Sequence, residues 1–251
     1  MKTVFLSFAS QKGGVGKSSM TSLMASYLHY LTKLNVFVID ADYPQYSIHG
    51  MRQRDSDLIN GDNHFKQLAF NQLKVLGKSA YPIIKSTPDN AIYSAKQFLS
   101  SSKINYNMAL FDLPGTVGGE GIIKTLSQLD YIIIPISSDR VVLESSLSFA
   151  KVLNKVFVSN DAARLKNVLL FWNQVDGRER NNLYKTYDII IRELGLNLLN
   201  NRILDTKRFR KEILVDKKMI FRSTLFPASK RFTRESGIED LFLEILKIIL
   251  S

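Results

Sequence analysis

Within Ser10 to Ser19, SQKGGVGKSS, three glycines, two lysines and hydroxyl side chains crowd into ten residues. An apolar run that reads as a strand precedes them and a helical pattern follows. The chemistry this arrangement suits is the binding of phosphates. A glycine turn can aim successive backbone N–H groups at phosphate oxygens, and the N-terminus of the next helix adds a partial positive charge. Gly13, Gly14, Val15 and Gly16 form the expected cradle, and Ser19 opens the helix behind it. Lys17 would reach the β/γ-phosphates, and the Ser18 hydroxyl would hold Mg2+. The usual pattern, G-x-x-x-x-G-K-[ST], fails at one position, where Gln11 stands in place of glycine. A second lysine, Lys12, stands just before the glycine pair. The flanking strand and helix patterns argue against a mere glycine turn with two solvated lysines.

Two further runs, VFVIDADYPQ (Val36 to Gln45) and MALFDLPG (Met108 to Gly115), each end an apolar strand on aspartate. A carboxylate at the end of a buried strand is unfavourable unless something offsets it, and Mg2+ with phosphates would do so. Asp40, Asp42 and Asp112 are therefore site candidates. For Asp40 and Asp42 the competing role is capping the next helix. In FWNQVDGRER, Asn173 has both a donor and an acceptor for the edge of an adenine. It could equally form a turn beside Asp176 and Gly177.

Elements must bring these residues together. Thr3 to Phe8, Asn35 to Ile39, Tyr81 to Ile84, Met108 to Phe111, Tyr131 to Pro135 and Val168 to Trp172 read as short buried strands. Helical spacing recurs over Ser18 to Leu31, Phe65 to Leu76, Ala91 to Leu99, Gly121 to Leu129, Val141 to Val158 and Asn182 to Leu194. Apolar strands alternating with amphipathic helices predict an α/β fold, a mostly parallel twisted sheet with helices on both faces. Ligands bind such sheets at the carboxyl ends of the strands, where the candidate residues fall.

KGGVGKS, with its extra lysine, resembles the deviant Walker A loop of the ParA/MinD (SIMIBI) ATPases, a P-loop family. The resemblance implies that Lys12 crosses a dimer interface to the nucleotide of the opposite subunit, so that ATP binding and homodimerisation are one event. FDLPG resembles a Walker B segment, with Asp112 ordering the water shell of Mg2+ and Gly115 freeing the next loop. DADYPQ resembles the family's D-x-D-P-Q, placing Asp40 in the Mg2+ surroundings and Asp42 at the attacking water; Tyr43 is inserted between Asp42 and Pro44. Asn173 would contact adenine, and Arg178 continues the likeness. The family usually has proline where Leu204 stands. The implied reaction is hydrolysis of ATP to ADP and phosphate by a single domain over 1–251, slow and stimulated by a partner protein. NQVDGRER, DTKRFRKE and FRSTLFP look like the ParA-like proteins of bacterial conjugative transfer elements.

The formal net charge is +11, and residues 202–234 carry eleven Lys or Arg against three acids. Such a segment suits an anionic partner, here DNA bound through its phosphates, though a solvated basic face would have the same composition. Phe209, Phe221 and Phe232 lie among these charges, with packing their simplest role. The absence of cysteine excludes disulfides and thiolate metal sites, including the iron–sulfur relatives of this superfamily. No signal peptide or transmembrane run is expected, which points to the cytoplasm. A MinD-like membrane switch would need a basic amphipathic helix at the chain end. Ile238 to Leu250 has only Lys247 against Glu239, Asp240 and Glu244, which suits docking on the sheet. A ligase of the dethiobiotin-synthetase type leaves Lys12 and the basic segment unexplained. A nucleotide-dependent scaffold with little hydrolysis is the remaining alternative.

Overall fold

The computed structural model describes residues 2–115, 119–160, 163–177, 182–205 and 222–250. In chain order the elements are β1 (Val4–Phe8), α1 (Lys17–Leu31), β2 (Val36–Asp40), α2 (Ser47–Gly61), α3 (Asn63–Leu76), β3 (Ile83–Lys85), α4 (Ala91–Ser101) and β4 (Met108–Asp112). They continue with α5 (Glu120–Ser127), β5 (Tyr131–Ile136), α6 (Arg140–Leu153), β6 (Asn167–Trp172), α7 (Asn182–Glu193), β7 (Asn197–Leu198), α8 (Lys230–Glu235) and α9 (Ile238–Leu250). The seven strands form one sheet in the order β3-β2-β4-β1-β5-β6-β7. Every described pairing in it is parallel.

Alternation along the strands divides the core into two layers. Phe5 of β1, with Phe37 and Ile39 of β2, packs on one face beneath α4, α5, α6 and α7. Leu6 and Phe8, with Val36 and Val38, pack on the other against α1 and α9. Leu241, Phe242 and Ile245 of α9 are fully buried there. The last helix thus docks its apolar stripe on the sheet, as its spacing and acidic flank suggest.

Several boundaries differ from the sequence expectation. The third strand is Ile83–Lys85, two residues later than the apolar run alone implied. The expected helix over 141–158 is α6 followed by a wider π turn, Asn154–Val158. Helix α2 was not foreseen, because Ile48 and Asp55 are its only fully covered side chains and no apolar stripe announces it. The two-residue β7 and the short α8 were missed for a related reason, since neither is long enough to show a period.

The helix starts differ in a way that matters for the site. Asp62, Asp139 and Ser229 cap α3, α6 and α8, each accepting a bond from a first-turn N–H. Helix α1 starts at Gly16, in the left-handed region at φ 90°, and like α2, α4 and α5 it has no side-chain bond from its N-cap residue. Its first-turn N–H groups have no intrahelical carbonyl to pair with and are available to an anion at the loop.

Candidate nucleotide site

The loop between β1 and α1 crosses the carboxyl edge of the sheet. Gly14 and Gly16 both have positive φ, 77° and 90°, a conformation that a side chain would strain. Gln11, where glycine is usual, accepts a hydrogen bond from the Ser145 hydroxyl of α6 at 3.1 Å, which ties down the entrance to the loop. Val15 is buried, and its carbonyl accepts from Asn173 Nδ2 at 2.9 Å. Asn173 thus supports the loop from the end of β6 through one of its two Nδ2 hydrogens, which leaves the second hydrogen and the side-chain oxygen for a ligand.

Strand pairing assembles the carboxylates. Asp40 and Asp112 close β2 and β4 and face one another in register, both at 0% exposure. Asp40 Oδ2 accepts from the His49 N–H at 2.8 Å, so one oxygen does cap α2, as the competing reading held. The other oxygen, Oδ1, and both oxygens of Asp112 are buried without a hydrogen-bond partner. At the opposite edge of the sheet a buried acid is treated differently. Asp130 receives the Phe5 N–H at 2.7 Å and a two-point ion pair from Arg164. Unpartnered buried carboxylate oxygens are rare and strongly unfavourable when charged. Those at the carboxyl edge are what a cation site requires.

Burial, reinforced by the charges of Asp40 and Asp42, pushes the Asp112 carboxyl up to about 8. Lys17 and the nearby Ser18 hydroxyl lower it only in part, and that hydroxyl makes no well-formed hydrogen bond to either carboxylate oxygen. Asp40 is also raised, first by burial. Lys17 is lowered by burial, against the attraction of Asp112 and Asp42. A Cβ at Gly115 would stand 3.0 Å from Lys17 Nζ, so this glycine leaves room for the ammonium group. Lysine, hydroxyl and acids therefore converge at the loop mouth. Mg2+ fits this donor set, because it commonly takes one or two carboxylates with phosphates and water instead of an all-protein cage. Among the described residues no group of three or more acid or histidine side chains forms such a cage.

Residues 6–218 match the family described as the CobQ/CobB/MinD/ParA nucleotide binding domain. The chain belongs to this family.

Three solved structures share the MinD/ParA fold with it. A Borrelia burgdorferi structure assigned to plasmid partition and bound to AMPPNP is 21% identical over 99% of each chain, with TM-score 0.62. The MinD cell division protein of Aquifex aeolicus is 18% identical, covering 99% of this chain and 97% of its own, with TM-score 0.58. The pNOB8 ParA bound to nonspecific DNA is 17% identical over 99% of each chain, with TM-score 0.57. No curated protein sequence matches the chain.

Against the MinD/ParA pattern, Lys12 is exposed, and within one subunit its described hydrogen bond is a backbone one, from its N–H to Ser10 Oγ at 3.1 Å. Asp42 lies partly buried just beyond β2, with the Ser47 hydroxyl 3.4 Å from its Oδ2. The inserted Tyr43 is 58% exposed, so the extra residue is taken up at the surface and Asp42 stays two residues beyond Asp40. A cleft of about 140 Å³ beside the loop is lined by Gly14, Ser19, Asn173, Gln174, Asp205 and Arg222. The last three were not singled out from sequence as site residues. Gln174 has φ 58°, unusual for a side-chain-bearing residue, and nothing local in the sequence marks it. Asp205 and Arg222 reach the cleft from distant chain segments.

Of the basic segment, Arg202 pairs with Asp188, Arg231 with Glu235 and Arg234 with Glu239. Phe232 is buried in the core, in keeping with a packing role. Residues 206–221, with Phe209, Phe221 and most of the expected DNA-contacting lysines and arginines, lie outside the described residues, as does Arg178. No helix among the described residues is long and apolar enough to cross a membrane.

Proposed function

We propose that this chain is an ATP-hydrolysing switch that dimerises on ATP and binds DNA without sequence preference, serving DNA partition or mobile-element transfer in the cytoplasm. The observation that carries the nucleotide part is the pair of in-register aspartates, Asp40 and Asp112, with unpartnered buried oxygens beside Lys17 and an uncapped helix start. In this reading Gly13, Gly14, Val15, Gly16, Ser18 and Ser19 hold the phosphates through the loop and first turn. Asn173 borders the base. Ser18 and Asp112 would hold Mg2+ with Asp40 in its surroundings, and the ion would neutralise charge on the phosphate oxygens. Lys17 stabilises charge on the transferring phosphoryl group, Asp42 orients the attacking water, and Lys12 reaches the partner subunit's nucleotide. Phosphoryl transfer asks the protein for such positioning more than for covalent chemistry.

The DNA part is supported by the excess charge of residues 202–234 and by the likeness to a ParA bound to nonspecific DNA. Its test is fluorescence anisotropy of a random-sequence duplex titrated with protein under ATP, ADP and no nucleotide at several salt concentrations. Tight binding only with ATP, falling steeply with salt, is the expected result. Absence of binding in every state would reject DNA as the partner and favour a protein-positioning or scaffold role.

A further inference from the structure

We infer that Arg222 is a nucleotide-binding residue that pairs with the phosphate nearest the ribose. This rests on the reading of the cleft as an ATP site and adds to it a cation from outside the glycine loop. Arg222 lines the same cleft as Gly14, Gly16 and Asn173, and its Nη1 lies 2.5 Å from the Ser19 hydroxyl in the first turn of α1. A guanidinium here has the fixed fork of donors that suits phosphate oxygens.

The position along the cleft selects which phosphate. Lys17 Nζ stands on the Gly115 side of the loop, next to the buried aspartates, where the terminal phosphates would sit. Arg222 meets the helix two residues further on, at Ser19, and lines the cleft together with Asn173 and Gln174. With the terminal phosphates at Lys17 and the base at Asn173, the phosphate left to Arg222 is the one nearest the ribose. Asp205 shares the cleft, and its carboxylate would accept from a ribose hydroxyl and repel a phosphate, which leaves Arg222 as the cation for the anionic end.

The backbone that carries Arg222 is fixed before any ligand arrives. Arg54 Nη2 donates to the Arg222 carbonyl at 2.5 Å. One oxygen of Asp55, which is 1% exposed, accepts from the Ser223 hydroxyl (2.9 Å), the Thr224 N–H (2.7 Å) and the Thr224 hydroxyl (2.9 Å). Tyr30 of α1 and Gln72 of α3 donate to the carbonyls of Thr224 and Leu225, both at 2.8 Å. Three helices thus hold one short segment whose first residue enters the cleft. A group held this way loses little freedom when it binds, which is the condition for an effective contact.

Isothermal titration of the full chain with ATP, ADP and AMP tests the assignment, comparing wild type with Arg222→Ala and Arg222→Lys. The alanine variant is expected to weaken all three nucleotides by a similar factor, about ten- to a hundredfold. The lysine variant should recover part of the loss. Should Arg222→Ala fail to fold, Arg222→Gln, which keeps a donor for Ser19 without the charge, carries the comparison with the same expected loss. A loss confined to ATP would move the contact to the terminal phosphates and overturn the assignment. Unchanged affinities for all three would also overturn it. If DNA binding fell instead, Arg222 would belong to the basic surface. Wild-type protein that binds no ATP would reject the underlying reading together with this one, an outcome distinct from a variant-only result.

Discussion

Asp112 shows how a single side chain can couple ligand binding to stability. Its carboxyl titrates near 3.8 in an open environment and near 8 in the fold, because burial disfavours the charged form. Between those values the folded chain holds a proton that the unfolded chain has released. Its contribution is therefore full below about pH 4 and lost as the pH rises through about 8. The thermal midpoint of the ligand-free protein should fall from pH 5 to pH 9, with Asp112→Asn removing part of that slope and Mg2+ with ATP reducing it. Identical wild-type and variant slopes in a pH series of melting curves would contradict this account. The loop, Asp40 and Asp112 could be found in the sequence because each announces itself locally, as a short motif or an aspartate closing an apolar strand. Gln174, Asp205 and Arg222 could not, because only the folded chain brings them to the cleft.

At the scale of elements, one tight connection bears on how the last helix docks. Gly237 links α8 to α9 at φ 80°, and a Cβ there would lie 2.3 Å from the Arg202 carbonyl oxygen. Gly237→Ala should cost more than about 1 kcal/mol, read as a lowered denaturant midpoint with unchanged slope. A midpoint equal to wild type would show that the α8–α9 turn tolerates a rearranged backbone. The strands and most helices were legible because a sheet covered on both faces demands nearly continuous apolar runs, as in Tyr131–Ile136, buried throughout. Helix α2 was not, since polar side chains hold it in place. Arg52 donates to Tyr81 and Thr224, and Asp55 accepts from Ser223 and Thr224, contacts with no periodic signature.

For the whole molecule, the exposed Lys12 beside a half-buried Lys17 separates two jobs within one loop. If Lys12 serves the neighbouring subunit, Lys12→Ala should leave the monomer folded and abolish ATP-dependent dimers and hydrolysis. Asp42→Ala should instead retain a dimer trapped with ATP. Light scattering that shows normal ATP-induced dimers for Lys12→Ala would sink the cross-subunit role. The Asp55 contacts bear on how such a chain can change over generations. Ser223 lies 168 residues beyond Asp55, yet its hydroxyl and the Thr224 hydroxyl share one carboxylate oxygen. A lineage that loses the acid takes from two buried hydroxyls the acceptor they share, and one that loses the hydroxyls leaves that oxygen only the Thr224 N–H. These three positions are therefore expected to drift together, and a graft of residues 222–225 from a relative would be inherited intact only with the matching α2.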